Sequence, residues 1–237
     1  MAGHSQFANI KHKKERADNK RGKLFTKLAK EILIATKLGG KDINFNPRLR
    51  LAIEKAKEAN MPKDNIEKAV KKGAGELESE TLSEIVYEGY GPFGIAIVIE
   101  ALTDNRNRTA GEIRYAFSKF NGSLGEINSV MWSFERKGLI VLDKNVEEEQ
   151  KLFDHILELG AEDLKLDSDL NYMIITSEKD FYEIDKALQY KKEYSELLFI
   201  PKNTIDIEPS NIQLVEDMLD FMRSLEDVQS VYHNAKI

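Results

Sequence analysis

From Arg21 onward, apolar residues recur every three or four positions. From about Ile85 the spacing becomes two, so the chain opens helical and then mixes strands with helices. Leu24, Leu28, Ile32 and Ala35 fall on one face of a first helix, which Gly39-Gly40 ends. Asn46-Pro47 reads as the N-cap and first residue of a second helix, with Leu49, Ile53 and Ala56 inward. Met61-Pro62 breaks it and starts a third helix at Pro62, with Ile66, Ala69 and Val70 inward and Gly73 as its stop. Gly73 to Ser83 is rich in Gly, Glu and Ser and reads as a linker.

Beyond it, Ile85-Val86-Tyr87 and Ile95 to Ile99 read as two strands of a hairpin joined by the glycine-heavy turn Gly89 to Gly94. The second run is apolar throughout, which predicts a strand buried on both faces. Thr103 to Thr109 opens a helix reaching about Phe120, with Asp104 or Asn105 as its cap and Asn121-Gly122 closing it. Val130 to Phe134 and Leu139 to Leu142 read as strands around an Arg136-Lys137-Gly138 turn, with Trp132 and Phe134 facing the core together. Glu147 to Leu159, Lys179 to Lys191 and Asn211 to Leu225 read as helices; Tyr172 to Thr176, Glu196 to Ile200 and Val228 to Tyr232 read as strands. The mixture predicts two small α+β units with helices on one face of each sheet.

Charge changes this picture. The net charge of -6 hides a split: residues 1–75 carry 19 Lys+Arg and 8 Asp+Glu, a balance of +11, and the rest of the chain carries -17. Lys20, Lys23, Lys27, Lys30 and Lys37 form a stripe along the first helix, interrupted by Ile34. Their mutual repulsion costs a few tenths of a kcal/mol per pair, and a polyanion turns that cost into a gain by releasing its counterions. The stretch Lys11 to Lys72 therefore reads as a nucleic-acid-binding arm. Its candidate contacts are Lys11, Lys13, Lys14, Lys20, Arg21, Lys23, Lys27, Lys30, Arg48 and Arg50, joined by Arg106 and Arg108 at a helix N-terminus that favours anions. Lys68, Lys71 and Lys72 also suit the dipole at the end of their own helix. Replacing Lys23, Lys27 and Lys30 with Glu is expected to abolish polyanion binding and leave the fold intact. The rival for all these lysines is a merely solvated surface.

Other chemistry is thin. Cysteine is absent, and His4, His12, His155 and His233 are scattered, so no metal site and no cofactor are expected. No apolar run reaches about 18 residues and the first residues lack the apolar core of a signal peptide, so no membrane contact and a cytoplasmic location are expected. The Gly89 to Gly94 turn lacks a Gly-Lys-Ser/Thr ending and is not a P-loop. No catalytic constellation is read; an enzyme would need Glu88, Glu100 and Asp104 to converge in one pocket. An adaptor whose acidic units dock a basic partner is the third class.

Five strings carry a resemblance over the whole chain. They are Met1-Ala-Gly-His-Ser5 with Ala8-Asn-Ile-Lys-His12, Lys20-Arg-Gly-Lys-Leu-Phe-Thr-Lys27, Asn46-Pro-Arg-Leu-Arg-Leu-Ala-Ile53, Asn60-Met-Pro-Lys-Asp-Asn65, and Tyr87-Glu-Gly-Tyr-Gly-Pro92 followed by Thr103-Asp-Asn-Arg-Asn-Arg-Thr109. In this order they resemble the YebC/PmpR family of probable transcriptional regulatory proteins, whose relatives include a mitochondrial translational activator of cytochrome oxidase. Phe7 stands where that family usually has Trp, and Phe93 where it usually has glycine.

The resemblance implies an α+β chain of three domains: a small basic helical N-terminal domain at 1–76, a middle α/β sandwich at 77–134 plus 203–237, and an inserted ferredoxin-like domain at 135–202. It also implies a non-enzymatic regulator of gene expression that binds DNA. The alternative is a factor associated with ribosomal RNA or the ribosome that relieves stalled translation. A lysine stripe does not distinguish these targets, because both present phosphate.

Overall fold

The computed structural model describes residues 21–79, 81–167 and 170–237. Three helices come first: α1 (Arg21–Gly39), α2 (Pro47–Glu58) and α3 (Lys63–Gly73). Asn46 caps α2, its side-chain oxygen accepting the Leu49 amide at 3.0 Å. Pro62 stands at the N-cap position of α3, so this helix begins at Lys63, one residue later than expected. Ile32, Ala35, Leu49, Ala56, Ile66 and Ala69 make the core of this lobe.

The second half of α1 is more than amphipathic. Residues Ile32 to Thr36 are all buried, because Leu33 and Ile34 pack on Leu82 and Leu102 of the next lobe. A helix wedged between two bodies buries its whole circumference there.

Next come β1 (Ser83–Tyr90), β2 (Ala96–Thr103), α4 (Arg106–Lys119) and β3 (Ser123–Leu124). The strands β4 (Phe134–Leu142), β5 (Asp163–Leu166), β6 (Tyr172–Ser177) and β7 (Lys192–Pro201) follow, with α5 (Glu149–Glu158) and α6 (Phe181–Ala187) between them. The chain ends with β8 (Ile205–Asp206), α7 (Ile212–Ser224), β9 (Val228–His233) and β10 (Ala235–Lys236).

Two four-stranded antiparallel sheets result, ordered β3-β1-β2-β9 and β5-β6-β4-β7; β8 and β10 pair separately in parallel. The second sheet with α5 and α6 is a βαββαβ unit of ferredoxin-like order. It is inserted, because β9 returns to the first sheet beside β2, pairing Ile99 with Val231. The sheets pack face to face through Val98, Tyr232, Leu139, Val141, Met173 and Leu198. The outer face of the first, including Ile97 and Ile99, is covered by Ile113 and Phe117 of α4 and Val215 and Met218 of α7. The outer face of the second, including Ile140 and Ile174, is covered by α5 through Leu152 and Ile156 and by α6 through Phe181 and Ile184. Each fully buried side chain of this size stabilises the fold by roughly 1.5–3 kcal/mol.

Several sequence expectations change. The Arg136-Lys137-Gly138 turn is absent; β4 runs straight through it. Gly138 is there for space, since a Cβ would lie 2.2 Å from Thr176 Oγ1 and 2.3 Å from the Phe181 ring. Residues Met131–Ser133 form a 3₁₀ turn before β4. Trp132 and Phe134 therefore part company: Phe134 is buried, and Trp132 is exposed. The helix expected over Lys179 to Lys191 is confined to Phe181–Ala187, because the backbone turns extended at Leu188, with ψ 101°. Asn105, not Asp104, caps α4, accepting the Arg108 amide at 3.1 Å.

Candidate nucleic-acid interface

Three lysines of the α1 stripe, Lys23, Lys27 and Lys30, reach back to groups of the same chain. Lys23 Nζ donates to the Ser224 carbonyl at 3.2 Å and Lys27 Nζ to the Arg223 carbonyl at 2.9 Å, both at the C-terminal turn of α7. Helix C-termini present unpaired carbonyls and negative potential, so these lysines cap α7 from another lobe. One turn further along α1, Lys30 Nζ reaches Asp227 Oδ1 at 2.7 Å.

Asp227 is the hub of this contact. A register shift between Glu100 and Ala101 in the β2–β9 ladder precedes the point where the Leu102 amide donates to the Asp227 carbonyl at 2.8 Å. The side chain then meets Arg108 Nη2 and the Thr109 hydroxyl of α4, both at 2.7 Å, and the Thr103 hydroxyl at the end of β2 at 3.0 Å. Burial alone would push its pKa up. The hydrogen bonds from Lys30, Arg108 and Thr109 outweigh burial and hold the carboxyl well below the usual carboxylate range. The segment 103–109 is thus read by a carboxylate of the same chain. Arg108 also pairs with the exposed Asp104 at 2.7 Å.

Arg48 is likewise committed. Its Nε and Nη2 take Glu31 at 2.7 and 3.1 Å, and Nη2 also takes Glu84 at 2.5 Å, tying α2 to α1 and to the start of β1. Burial disfavours its charge, but Glu31 and Glu84 more than offset that and raise its pKa above the ordinary value. Arg50 is half-buried and makes no ion pair with a described residue. Arg106 is exposed on the first turn of α4. Lys11, Lys13, Lys14, Lys20 and the side chain of Arg21 lie outside the described residues.

The expected neutrality of the Lys23, Lys27 and Lys30 substitutions toward the fold therefore gives way. A glutamate at position 30 would face Asp227 across a contact that is buried on the Asp227 side.

Other lysines of this lobe stay in solvent without such a contact, Lys37 of the stripe among them. Lys37 closes α1, Lys57 closes α2, and Lys68 and Lys71 stand on α3; all are exposed, and none lies within ion-pair distance of a described carboxylate. Lys72 is half-buried beside them. Gly73 packs on the Leu33 carbonyl and Thr36 of α1, so the basic end of α3 lies against the last turns of α1. None of these is among the candidate contacts read from the sequence, which placed Lys37 in the stripe and Lys68, Lys71 and Lys72 at the helix dipole. No local pattern separates them from Lys30, since the difference is a partner far along the chain.

The three carboxylates that an enzyme would need are spent separately. Glu88 accepts the amides of Asn128, Val130 and Met131 at 2.8, 3.0 and 2.8 Å, Glu100 accepts the Tyr232 hydroxyl at 2.7 Å, and Asp104 pairs with Arg108. Among the described residues no group of three His, Cys, Asp or Glu side chains is placed to hold a metal ion, and no helix is long and apolar enough to cross a membrane.

Residues 5–76 match the TACO1/YebC protein N-terminal domain, and residues 82–235 match the TACO1/YebC second and third domain. The chain belongs to the TACO1/YebC family. A probable transcriptional regulatory protein of Geobacter sulfurreducens is 49% identical over 240 residues, spanning 100% of this chain and 96% of the relative. Another, from Natranaerobius thermophilus, is 50% identical over 244 residues, spanning 100% and 97%. The crystal structure of a conserved hypothetical protein from Aquifex aeolicus is similar with a TM-score of 0.83 and 44% identity, covering 94% of this chain and 93% of that one. Within the TACO1/YebC match the boundary between the two family segments falls between α3 and β1.

Proposed function

We propose that this TACO1/YebC protein is a non-enzymatic regulator of gene expression that binds DNA through the phosphate-facing lysines of its helical lobe. The observation that carries this reading is the set Lys37, Lys57, Lys68 and Lys71: exposed, cationic and beyond ion-pair distance of any described carboxylate in a chain holding 41 Asp+Glu. Cations left unneutralised beside so many acids are what a polyanion-binding face requires. The names of the relatives, probable transcriptional regulatory proteins, support a role in transcription. In this reading Lys23 and Arg106 contribute from the exposed rim, and Lys11, Lys13, Lys14, Lys20 and Arg21 are proposed to contribute as well. Lys27, Lys30, Arg48 and Arg108 position the lobe. Its domains divide at 1–76, 77–134 with 203–237, and 135–202, and it works in the cytoplasm.

Salt is the diagnostic variable. Four phosphate contacts make affinity fall by about 10²-fold between 50 and 200 mM salt. The test is a titration of labelled duplex DNA with the full chain and with a Lys68→Ala/Lys71→Ala/Lys72→Ala variant. The variant should bind more weakly, with a shallower salt slope and an unchanged Tm. Wild-type affinity and slope in the variant would overturn the assignment of this face. Saturable cosedimentation with ribosomes at a salt concentration that releases DNA would replace transcription with translation.

A further inference from the structure

The loop joining α1 to α2 ends in the most exposed aromatic side chain among the described residues, Phe45, at 84% exposure; Leu38 and Ile43 beside it are exposed as well. An apolar ring in water is ordinary at a mobile tip, but this loop is fixed from both sides. Gly40 turns it with φ +82°. The Asp42 carboxylate accepts the Asn44 amide at 2.9 Å, and the Phe45 amide donates to the Asp42 carbonyl at 3.1 Å. Asn46 is buried, and its Nδ2 donates to the carbonyls of Ala35 and Gly40 at 2.8 and 2.7 Å while its oxygen caps α2. The backbone that carries the ring is therefore held in one place, and a ligand meeting it has only the side chain left to order.

Its surroundings are cationic. Lys37 stands on the last turn of α1, and Lys41 within the loop makes a single exposed pair with Glu76. Such a pair is worth little and yields readily to a phosphate. Lys41 and Lys71, balanced in charge by Glu67 and Glu76, line a shallow hollow floored by Ile53, Ile66 and Val70, which connects the loop to α3. The nearest acid in the loop, Asp42, already accepts hydrogen bonds from the Asn44 amide and its side-chain nitrogen.

We infer that Phe45 is a stacking platform for an unpaired base of single-stranded nucleic acid, with Lys37 and Lys41 taking the flanking phosphates. The inference rests on the nucleic-acid reading above and narrows it. Base faces inside a duplex are covered by their neighbours, so a ring at a fixed loop tip pairs with a base that is already unstacked. Wedging the ring between duplex base steps would add an unstacking cost that a single strand does not carry.

The test uses the full chain and fluorescence anisotropy with three labelled probes: a single-stranded RNA, the same sequence as single-stranded DNA, and its duplex. Phe45→Ala should weaken both single strands by ~5- to 150-fold, the range that base–aromatic stacking supplies, and leave the duplex within about twofold. Phe45→Trp should retain single-strand binding, with its added fluorescence quenched by the single strands and not by the duplex. Because the ring is solvent-exposed, Tm should not move in either variant. Undiminished single-strand binding by Phe45→Ala overturns the inference while leaving lysine-dependent binding in place. Equal weakening on duplex overturns it in favour of a wedge. A Phe45→Ala variant that binds normally but changes its sedimentation behaviour overturns it in favour of contact with protein. If the unmodified chain binds none of the three probes, the nucleic-acid reading falls as well.

Discussion

Lys30 Nζ sits 2.7 Å from Asp227 Oδ1, joining the first helix to the residue just before the last strand of the first sheet, 197 positions later in the chain. Because the same carboxylate also holds Arg108, Thr103 and Thr109, it fixes α1, β2 and α4 at one point. The helical lobe is thus placed on the sheet by charge as well as by the small contact of Leu33 and Ile34 with Leu82 and Leu102.

Asp227→Asn keeps the shape and removes the charge. Breaking a buried pair by removing one partner costs about 3–5 kcal/mol, and the exposure of Arg108 reduces that here to about 2–3 kcal/mol. Urea unfolding should show this loss, with hydrogen exchange in α1 accelerating first. Asp104→Asn, which touches only the exposed side of Arg108, should stay within about 0.5 kcal/mol of the parent.

His233 sets an acid limb. It is buried at the end of β9, and burial, with the nearby Arg223 charge, pushes its pKa down to about 3. Unfolded, it titrates near about 6.5. The unfolded chain therefore binds a proton that the folded one refuses, and stability falls as pH drops from about 6.5 towards 3. The slope approaches ~1.4 kcal/mol per pH unit. Asp227, depressed in the folded state, adds its loss only below the unfolded carboxyl value of about 3.9. His233→Gln should flatten the curve between pH 6.5 and 4 and leave the steeper fall below it. Urea midpoints measured across that range decide the matter.

Glu88→Gln should loosen the segment 125–131. Glu88 is buried and spends both carboxylate oxygens on three backbone amides of that segment. Hydrogen bonds to a charged group contribute about 1.5–3 kcal/mol, so a loss of roughly 2 kcal/mol is expected. Trp132, the sole tryptophan, donates to the Ser129 carbonyl at 3.1 Å in this segment. Its fluorescence anisotropy should fall in the variant, and an unchanged value would show that the loop holds without the carboxylate.

Gly73→Ala should separate α3 from α1. A Cβ there would lie 2.4 Å from the Leu33 carbonyl oxygen and 2.6 Å from Thr36 Cβ. Overpacking of this kind costs about 1–3 kcal/mol. The lower Tm should come with weaker heparin retention, since the exposed lysines of the two helices would no longer be held together. Gly75→Ala is the contrasting control: nothing lies within 4 Å of its Cβ position, and any cost there comes from its φ of +76° alone.

Local features were legible because their physics is local. The Asn46-Pro47 start of α2 and the two-faced apolar run of β2 need only neighbouring residues to be recognised. The stretch Arg136-Lys137-Gly138 misled because its composition is that of a turn. Its strand conformation is enforced by pairing with Thr176 and Ser177 on one side and Leu197, Leu198 and Phe199 on the other. Trp132 misled in the opposite sense: as a large apolar residue it suggested core, but the 3₁₀ turn before β4 carries it outward.

Taken alone, the chain's order of residues determined the helical opening, the concentration of positive charge in it, the mixture of strands and helices that follows and the family strings. Only the tertiary structure decided which cations remain available. Lys30 and Lys68 are both helix-surface lysines in the same basic third of the chain. One is consumed by Asp227 and the other faces water, because an ion pair depends on distance in space, and the folding of β9 back beside β2 sets that distance.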